Sequence, residues 1–303
     1  MLISELLNFY LKHKVLAPDT NRAYREKTLN FIRSVGDKKI STVTEDDVIA
    51  YRDSKLATAS AVTFNTLHRH LATLFGFAMK RGWIDTNPFR CVPRLPIGRT
   101  KPKLVKTCQL KQVFKMLEDD DPTLPASLRP HWFWRAFLKM LYFTGMRRRQ
   151  ILELEWRDVD LKNAKIRLRA NTSKNHREWD IPIPDNLIIE LTVYRDIYHS
   201  RFGKLEPTWK VFNANLFKPR SRSRMPEKAM GDWHLRDLFC DLRDRYGLVA
   251  SCHRIRHTTG TDLMRLTQNP KIVQIQLGHT ELSTTMLYVH PDLADQRHLV
   301  QQL

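Results

Sequence analysis

Residues 252–257 of the sequence read CHRIRH, residues 277–279 read LGH, and residues 284–288 read TTMLY. The last of these stretches ends in Tyr288, a phenol that follows several histidines and arginines closely. This order of side chains is typical of a nucleophile that stands with the groups that activate it. The C-terminal part of the chain is therefore expected to carry a reactive site.

Two further cationic residues stand upstream of these stretches. Arg147 follows Thr-Gly-Met at positions 144–146, and Lys174 lies within TSKN at positions 172–175. The complete candidate set is one nucleophile and five cationic or proton-donating groups: Arg147, Lys174, His253, Arg256, His279 and Tyr288. Such a set suits attack on a phosphodiester without a metal ion, because positioned cations stabilise the crowded, charged transition state.

The chemistry assigns a role to each member of this set. Arg147 and Arg256 suit the non-bridging oxygens, because a guanidinium donates two hydrogen bonds at once and keeps its proton. Lys174 can give the departing 5′-oxygen a proton from a hairpin tip.

Tyr288 must lose its proton against an ordinary pKa of about 10. His253 is the candidate base, and the field of the arginines is expected to lower the pKa of the phenol. His279 would donate a hydrogen bond to the phosphate or assist the phenol.

Each of these residues also has an ordinary structural interpretation. Arg147 opens a run of three arginines, which usually forms a solvated face, and Lys174 is one of many lysines. A lone tyrosine such as Tyr288 is more often a packed aromatic. His253 and His257 lie four residues apart, as zinc ligands do, but arginines flank them and no HExxH glutamate is present. The ordered combination favours a catalytic site without a metal ion.

Composition points to a polyanionic partner. The chain has 303 residues and a formal net charge of +19. Such an excess of base attracts nucleic acid, whose binding releases counterions and depends steeply on salt. A soluble protein that is merely basic is the alternative. A hydrophobic content of 42% is enough for a packed core.

Cysteine spacing and hydropathy narrow the class of protein. The 4 cysteines form no CxxC pair and are too far apart for a disulfide framework or a zinc site. A reduced, cytoplasmic and nucleoid-associated protein is expected. No apolar run approaches the roughly 20 residues that span a bilayer, and the N-terminus resembles an amphipathic helix, not a signal peptide. No membrane partner is predicted.

The apolar spacing predicts an N-terminal helical domain at 1–88. Four helices are expected, the second burying Tyr24, Leu29 and Ile32 and the third starting at a Thr44 and Asp47 cap. Prolines and basic residues then alternate across 89–106, which predicts an extended basic linker.

The remaining residues, 107–303, have a mixed pattern. Residues 165–169 and 179–183 are predicted to pair as antiparallel strands, with Lys174 near the tip of their connection. Helices are predicted on either side. The expected fold is therefore mainly α with a small antiparallel β-sheet.

The combined motifs resemble those of the tyrosine recombinases, also called the phage integrase family. In chain order they match the first arginine motif, the hairpin lysine, the HxxR motif, the LGH motif and the nucleophile: residues 144–147 with 152–159, 172–175, 253–258, 277–279 and 285–288. The resemblance covers essentially the whole chain and implies a core-binding domain followed by a mixed α+β catalytic domain. Gln150 departs from the family, which often carries an acidic residue there.

The resemblance implies that Tyr288 forms a 3′-phosphotyrosine and frees a 5′-hydroxyl, which attacks in turn from a partner strand. The covalent intermediate conserves the bond energy, so no cofactor is expected, and no GxxxxGK[ST] loop is present. The implied partners are double-stranded DNA with a specific recombination site, a homotetramer on two duplexes, and an accessory directionality or activating protein. The apolar face at Leu299, Val300 and Leu303 would dock on a neighbouring protomer or on its own chain.

Two alternative functions remain open at this point. A type IB topoisomerase shares the chemistry but relaxes DNA as a monomer, whereas the helical N-terminal domain and short tail favour recombination. A catalytically inert DNA-binding regulator would lack one or more reactive groups, and all of them are present. The expected activity is therefore strand exchange between two DNA sites, in integration and excision or in dimer resolution, with two domains clamping the duplex.

Overall fold

The protein is described by a computed structural model that covers residues 1–98, 102–118, 121–172, 177–217, 225–289, 297 and 300–301. The chain forms two compact units, Met1–Thr100 and Lys101–Leu303. Each unit has a hydrophobic core of its own. The helical domain predicted at 1–88 falls in the first unit, and the mixed domain predicted at 107–303 falls in the second.

The first unit is built from helices joined by short connections. In chain order these are α1 (Ile3–His13), α2 (Pro18–Val35), α3 (Glu45–Leu56), α4 (Ala61–Lys80) and α5 (Pro88–Cys91). Their apolar faces meet in one core that is rich in buried aromatic residues. The four helices predicted from apolar spacing are confirmed, because that spacing places one stripe of each helix in the core.

Local chemistry sets the ends of these helices. The Thr44 hydroxyl accepts from Asp47 N at 3.3 Å, and the Asp47 carboxylate accepts from Thr44 N at 2.8 Å, so α3 begins at a capping box, as predicted. The predicted burial of Leu29 is wrong, since its side chain is 46% exposed. The buried face of α2 instead runs through Tyr24, Thr28 and Phe31, which are spaced i, i+4 and i+7.

The basic segment after this domain is less extended than its prolines predict. Residues 88–91 form α5, with Pro88 in the first turn, where its missing N–H costs no helical hydrogen bond. Phe89 and Val92 are each 1% exposed and belong to the core of the first unit. This part of the predicted linker therefore packs as structure. Residues 99–101 lie outside the described residues.

The second unit combines helices with one small sheet. Its helices are α6 (Thr107–Met116), α7 (His131–Thr144), α8 (Arg148–Glu153), α9 (Asp185–Phe202), α10 (Asp232–Tyr246), α11 (Cys252–Thr267), α12 (Pro270–Leu277) and α13 (Leu282–Thr285). Its strands are β1 (Val159–Asp160), β2 (Lys165–Leu168) and β3 (Trp179–Pro182). A 3₁₀ turn, Met286–Tyr288, follows α13.

The predicted antiparallel pairing is confirmed. The sheet order is β1-β2-β3, both pairs are antiparallel, and Leu168 stands opposite Trp179 in the register of β2 and β3. Ile166 and Ile181 are opposite each other and buried, so one face of the hairpin covers the core. The sequence did not predict β1, because two residues carry too little alternation.

Helix α7 lies at the centre of the second unit. It packs against α9 and α11 and buries most of its apolar side chains, Trp134 and Phe137 among them. A helix that is apolar nearly all round belongs inside a core. Neither α7 nor any other helix within the described ranges is long and apolar enough to cross a membrane. Helix α7 ends at Gly145, whose φ of 64° is the left-handed geometry that glycine accepts at a helix end.

Candidate active site

Helix α11 carries three groups of the candidate site on one face. His253, Arg256 and His257 are spaced i, i+3 and i+4, so their side chains project from neighbouring turns. The Ser251 hydroxyl accepts from Arg254 N at 3.2 Å and fixes the start of the helix. The ring of His253 meets that of His257 edge to face, with centroids 4.2 Å apart.

Tyr288 lies against this helix. Its side chain is 3% exposed, and it packs on Gly260 so closely that a Cβ there would lie 2.9 Å from the phenol ring. A hydrogen bond of 3.0 Å joins the Tyr288 hydroxyl to Nδ1 of His257. The phenol therefore meets His257, a residue that the sequence analysis weighed only as a zinc ligand. The assignment of His253 as base stays a prediction.

Backbone carbonyls hold the two arginines. Arg256 donates from Nη1 to Gly145 O and from Nη2 to Leu277 O, both at 2.6 Å. Arg147 donates from Nη2 to Gly278 O at 3.2 Å. These carbonyls lie at the ends of α7 and α12, where helix dipoles favour a cation. We call Gly145, Leu277 and Gly278 the carbonyl cradle.

Among the described residues the partners of the two guanidinium groups are these carbonyls, and no carboxylate pairs with either of them. Nη1 of Arg147 is buried without a hydrogen-bond partner in the same part of the chain. Burial, and then the charge of Arg147, lowers the pKa of Arg256 to about 9. A buried cation, Arg256, beside a half-buried one, Arg147, with an unused donor forms a site for an anion.

Gln150 takes the place of the usual acidic residue. Its Oε1 accepts from Arg147 N at 2.8 Å, so the amide caps α8 as a carboxylate would. Its Nε2 is buried without a hydrogen-bond partner among the described residues. The exchange therefore keeps the bond to the backbone of Arg147 and removes a negative charge.

His279 lies on the other side of the phenol. Its Nδ1 is 2.9 Å from the Thr285 hydroxyl, and its ring is nearly parallel to that of Tyr288, with centroids 5.9 Å apart. Burial, followed by the charges of Arg256 and Arg147, lowers the pKa of His279 to about 4. The hydrogen bond between Nδ1 and the Thr285 hydroxyl orients a neutral imidazole.

Burial decides the protonation of the reacting pair. It raises the pKa of Tyr288, and the opposing fields of Arg256 and Arg147 do not cancel it. The field of the arginines thus lowers the pKa of the phenol, as predicted, but in the DNA-free protein burial outweighs it and the net shift is upward. Burial, then His253 and Arg256, lowers the pKa of His257 to about 4, so this imidazole is neutral near pH 7. A neutral imidazole can accept the phenolic proton.

A cavity of about 630 Å³ opens beside these groups. Its lining combines Arg147, His253 and Arg256 with the aromatic residues Trp233 and Phe239. No cluster of three or more His, Cys, Asp or Glu side chains that could hold a metal ion occurs in the described part of the chain. The cavity gives an anionic substrate access to the arginines.

The structure thus brings Arg147, His253, Arg256, His279 and Tyr288 together around the N-terminal half of α11. Lys174 lies in residues 173–176, outside the described residues. The same holds for most of the C-terminal segment with its proposed docking face. The missed contact of His257 could have been found from its spacing, because it is one helical turn after His253.

Known relatives place this site in a family. Residues 109–294 match the model of the phage integrase family. The chain is 30% identical over 309 residues to a putative tyrosine recombinase XerC of Pseudomonas syringae, covering 100% of this chain but only 64% of that relative. It is 26% identical over 318 residues to the tyrosine recombinase XerD of Staphylococcus epidermidis, covering 99% of this chain and 97% of that one.

Two solved structures share the fold. The first is an integrase of the Tn1549 transposon, solved with a circular intermediate DNA. The match covers 100% of this chain and 100% of that one, with a TM-score of 0.74 at 18% identity. The second is a lambda integrase dimer bound to a COC′ core site. The match covers 97% of this chain and 97% of that one, with a TM-score of 0.72 at 17% identity. Likeness at this identity concerns the fold, and it confirms the predicted fold class. Because the family model spans most of the second unit, and with it the gathered arginines, histidines and tyrosine, this chain belongs to the phage integrase family of tyrosine recombinases.

Proposed function

We propose that this chain breaks and rejoins DNA at specific sites through a 3′-phosphotyrosine on Tyr288. The observation that carries the proposal is the 3.0 Å contact of the buried phenol with His257, beside two arginines held by carbonyls. Such a pair of cations, one buried and one half-buried, suits an anion, and a phosphodiester is an anion that a phenol can attack. The net charge of +19 favours a polyanionic substrate.

In the cleavage step, a bond forms between Tyr288 Oη and phosphorus while the bond from phosphorus to the 5′-oxygen breaks. The phenolic proton passes to Nδ1 of His257, in the tautomer that carries its ring proton on Nε2. Arg147 and Arg256 donate to the non-bridging oxygens and stabilise their charge. Lys174 gives the departing 5′-oxygen a proton.

His253 and His279 complete the proposed site. His253 is the alternative base, and its contact with His257 lets either imidazole influence the other. His279, oriented by Thr285, would donate to the phosphate. No cofactor is required by this sequence of steps, because the phosphotyrosine keeps the energy of the broken bond.

In the rejoining step, a 5′-hydroxyl from a partner strand attacks the phosphotyrosine, and the phenol leaves and regains its proton. Exchange between two duplexes requires four active sites, so the proposed assembly is a homotetramer on DNA. The fold it shares with the lambda integrase dimer on its core site supports a DNA-bound oligomer. We place this activity on the nucleoid in the cytoplasm, with an accessory protein that sets direction or activates the site.

Covalent capture tests the proposal. A library of duplexes with a nick and a randomised flank is incubated with the protein, so that loss of the short 5′-hydroxyl fragment traps the adduct. Wild type should yield a DNA-linked peptide containing Tyr288, and the matched Tyr288→Phe protein should yield none. An adduct on another residue would refute the assignment. Relaxation of a supercoiled plasmid without exchange between captured sites would identify a topoisomerase instead.

A further inference from the structure

Trp179, at the start of β3, lies directly on the carbonyl cradle. A Cβ built on Gly278 would be 2.2 Å from Cζ2 of Trp179, and two more atoms of the indole ring would lie within 2.7 Å. No real Cβ tolerates such distances. The indole ring therefore rests on the backbone of Gly278, whose φ of +61° separately favours glycine.

This backbone holds both arginines of the site. Gly278 O accepts from Arg147 at 3.2 Å, and the preceding carbonyl, Leu277 O, accepts from Arg256 at 2.6 Å. Arg256 has a second carbonyl partner in Gly145, whereas Nη1 of Arg147 is unpartnered among the described residues. The place of the Arg147 guanidinium thus depends on one carbonyl, and a shift of Gly278 would move it.

The strand that carries Trp179 is itself firmly held. Trp179 pairs with Leu168 in the β2 and β3 register, and the next residue after β2, Arg169, anchors the base of the hairpin. Arg169 donates to Glu153 O at 2.8 Å and pairs with Glu155 and Asp158 at 3.0 and 3.1 Å. The indole therefore presses on Gly278 from a fixed support.

The indole acts through its shape. Its Nε1 is buried and has no hydrogen-bond partner in the described part of the chain, so no polar contact explains the choice of tryptophan. A buried N–H without a partner costs free energy. The ring instead makes its close contact with the backbone of Gly278 through its surface.

We propose that Trp179 is a positioning residue, which sets the Leu277–Gly278 backbone and thereby aims the guanidinium of Arg147 at the substrate phosphate. The proposal rests on the role of Arg147 in the proposed function. It adds a link between the hairpin and the arginine site that the reactive residues alone do not reveal.

The test measures single-turnover covalent adduct formation at saturating protein on captured nicked sites. Two substrates are compared: the natural phosphodiester, and a scissile methylphosphonate in which a neutral methyl group replaces one charged oxygen. Trp179→Ala should slow the phosphodiester reaction by about 10²-fold, the scale that misplacement by about 1 Å produces. It should slow the methylphosphonate reaction much less, since a neutral centre gains little from an aimed guanidinium. DNA affinity should hardly change.

Three variants make the result decisive. Trp179→Phe keeps an aromatic face and should be intermediate. Trp209→Ala removes a half-buried indole from the same core that does not line the cavity beside the arginines, and it should lower thermal stability without changing the ratio of the two substrates. Arg147→Ala sets the full effect of losing the guanidinium.

Equal losses on both substrates for Trp179→Ala, or a wild-type rate, would overturn the proposal while Arg147→Ala remained defective. If Trp179→Ala does not fold, the same comparison is made with Trp179→Phe alone. An Arg147→Ala protein that cleaved the phosphodiester normally would instead refute the proposed role of Arg147. The two failures are thus distinguishable.

Discussion

The second unit contains two clusters of buried cations that are satisfied in opposite ways. Around Lys210, which is 6% exposed, cations and carboxylates neutralise one another: Lys210 pairs with Glu155 at 3.0 Å, and Arg169 pairs with Glu155 and Asp158. Around Arg256, which is 3% exposed, the partners are neutral carbonyls of the cradle. We call the group of Lys210, Arg169, Glu155 and Asp158 the paired cluster. The open cluster is the group of Arg147 and Arg256 with the neighbouring histidines His253, His257 and His279.

The difference separates support from catalysis. In the paired cluster each charge has a counter-ion, which offsets part of the desolvation of the ions and leaves no free charge to attract a ligand, although burial still raises the pKa of Asp158. In the open cluster the carbonyls fix the geometry of the guanidinium groups but leave their net charge. A buried charge of that kind stabilises an anion brought by the substrate. The burial that lowers the pKa of Arg256 also keeps its guanidinium in place before an anion binds.

The largest expected effects come from removing one arginine of each cluster. Arg256→Ala should lower the rate of covalent adduct formation by about 10³-fold or more, as the loss of a transition-state arginine does. Arg169→Ala takes the cation from buried Asp158 and should cost about 3–5 kcal/mol of unfolding free energy. Adduct kinetics and urea unfolding are measured on both proteins.

The comparison fails if the two effects do not separate. The folded fraction of Arg169→Ala should form adduct at nearly the wild-type rate, and Arg256→Ala should remain folded enough to bind DNA. A rate loss in Arg169→Ala as large as that in Arg256→Ala would show that the paired cluster takes part in the chemistry.

Within the open cluster, the two histidines of α11 should differ in effect. His257→Ala should slow adduct formation by about 10²–10⁴-fold, the range of general-base catalysis, because His257 contacts the phenol at 3.0 Å. His253→Ala is the matched control and should have a smaller effect. Raising the pH should partly restore His257→Ala, since the phenol then ionises without a base. The reverse ranking would support His253 as the base.

The two clusters should also lose stability in different pH windows. Burial is the largest cause that holds the pKa of His257 and His279 at about 4, below the ordinary 6.5. From about pH 6.5 down to 4 the unfolded chain binds protons that the folded chain does not, so stability falls as the pH falls.

The paired cluster has a lower window. Burial alone would raise the pKa of Glu155, but hydrogen bonds from Lys210 and Arg169 outweigh it and lower that pKa. Its contribution is lost only below the ordinary carboxyl value of 4.5.

Urea midpoints between pH 7 and pH 4.5 measure the first window on DNA-free protein. His257→Gln should show a weaker loss of stability on acidification than wild type, because one half-buried imidazole with a lowered pKa is gone. The same acid sensitivity in both proteins would contradict the burial of a neutral His257.

Part of the active site and of the fold around it could be predicted from the sequence. Motif order predicted Arg147, His253, Arg256, His279 and Tyr288 as one site, and alternation predicted the β2 and β3 hairpin. Both depend on short-range spacing, which the helix and strand periods translate directly into a shared face.

The features that the sequence did not predict depend on tertiary contacts between helices that are distant in the chain. The closeness of Tyr288 to His257 is set by its packing on Gly260, and the carbonyl cradle forms where the ends of α7 and α12 converge. The net rise in the pKa of Tyr288 reflects burial, which no motif encodes. Likewise Phe89 became part of a core although its neighbours are prolines and arginines.

The smallest expected effect tests the boundary between the two clusters. The amide oxygen of Gln150 accepts from Arg147 N at 2.8 Å. Gln150→Glu keeps an acceptor oxygen at this place and adds a carboxylate beside the open cluster. The new charge would partly compensate Arg147, so stability should rise slightly while adduct formation changes by less than about tenfold. Gln150→Ala, which loses the cap, should cost about 1 kcal/mol of unfolding free energy. A loss of more than about 10²-fold in Gln150→Glu would mean that the open cluster must carry its full charge for cleavage, which would sharpen its contrast with the paired cluster.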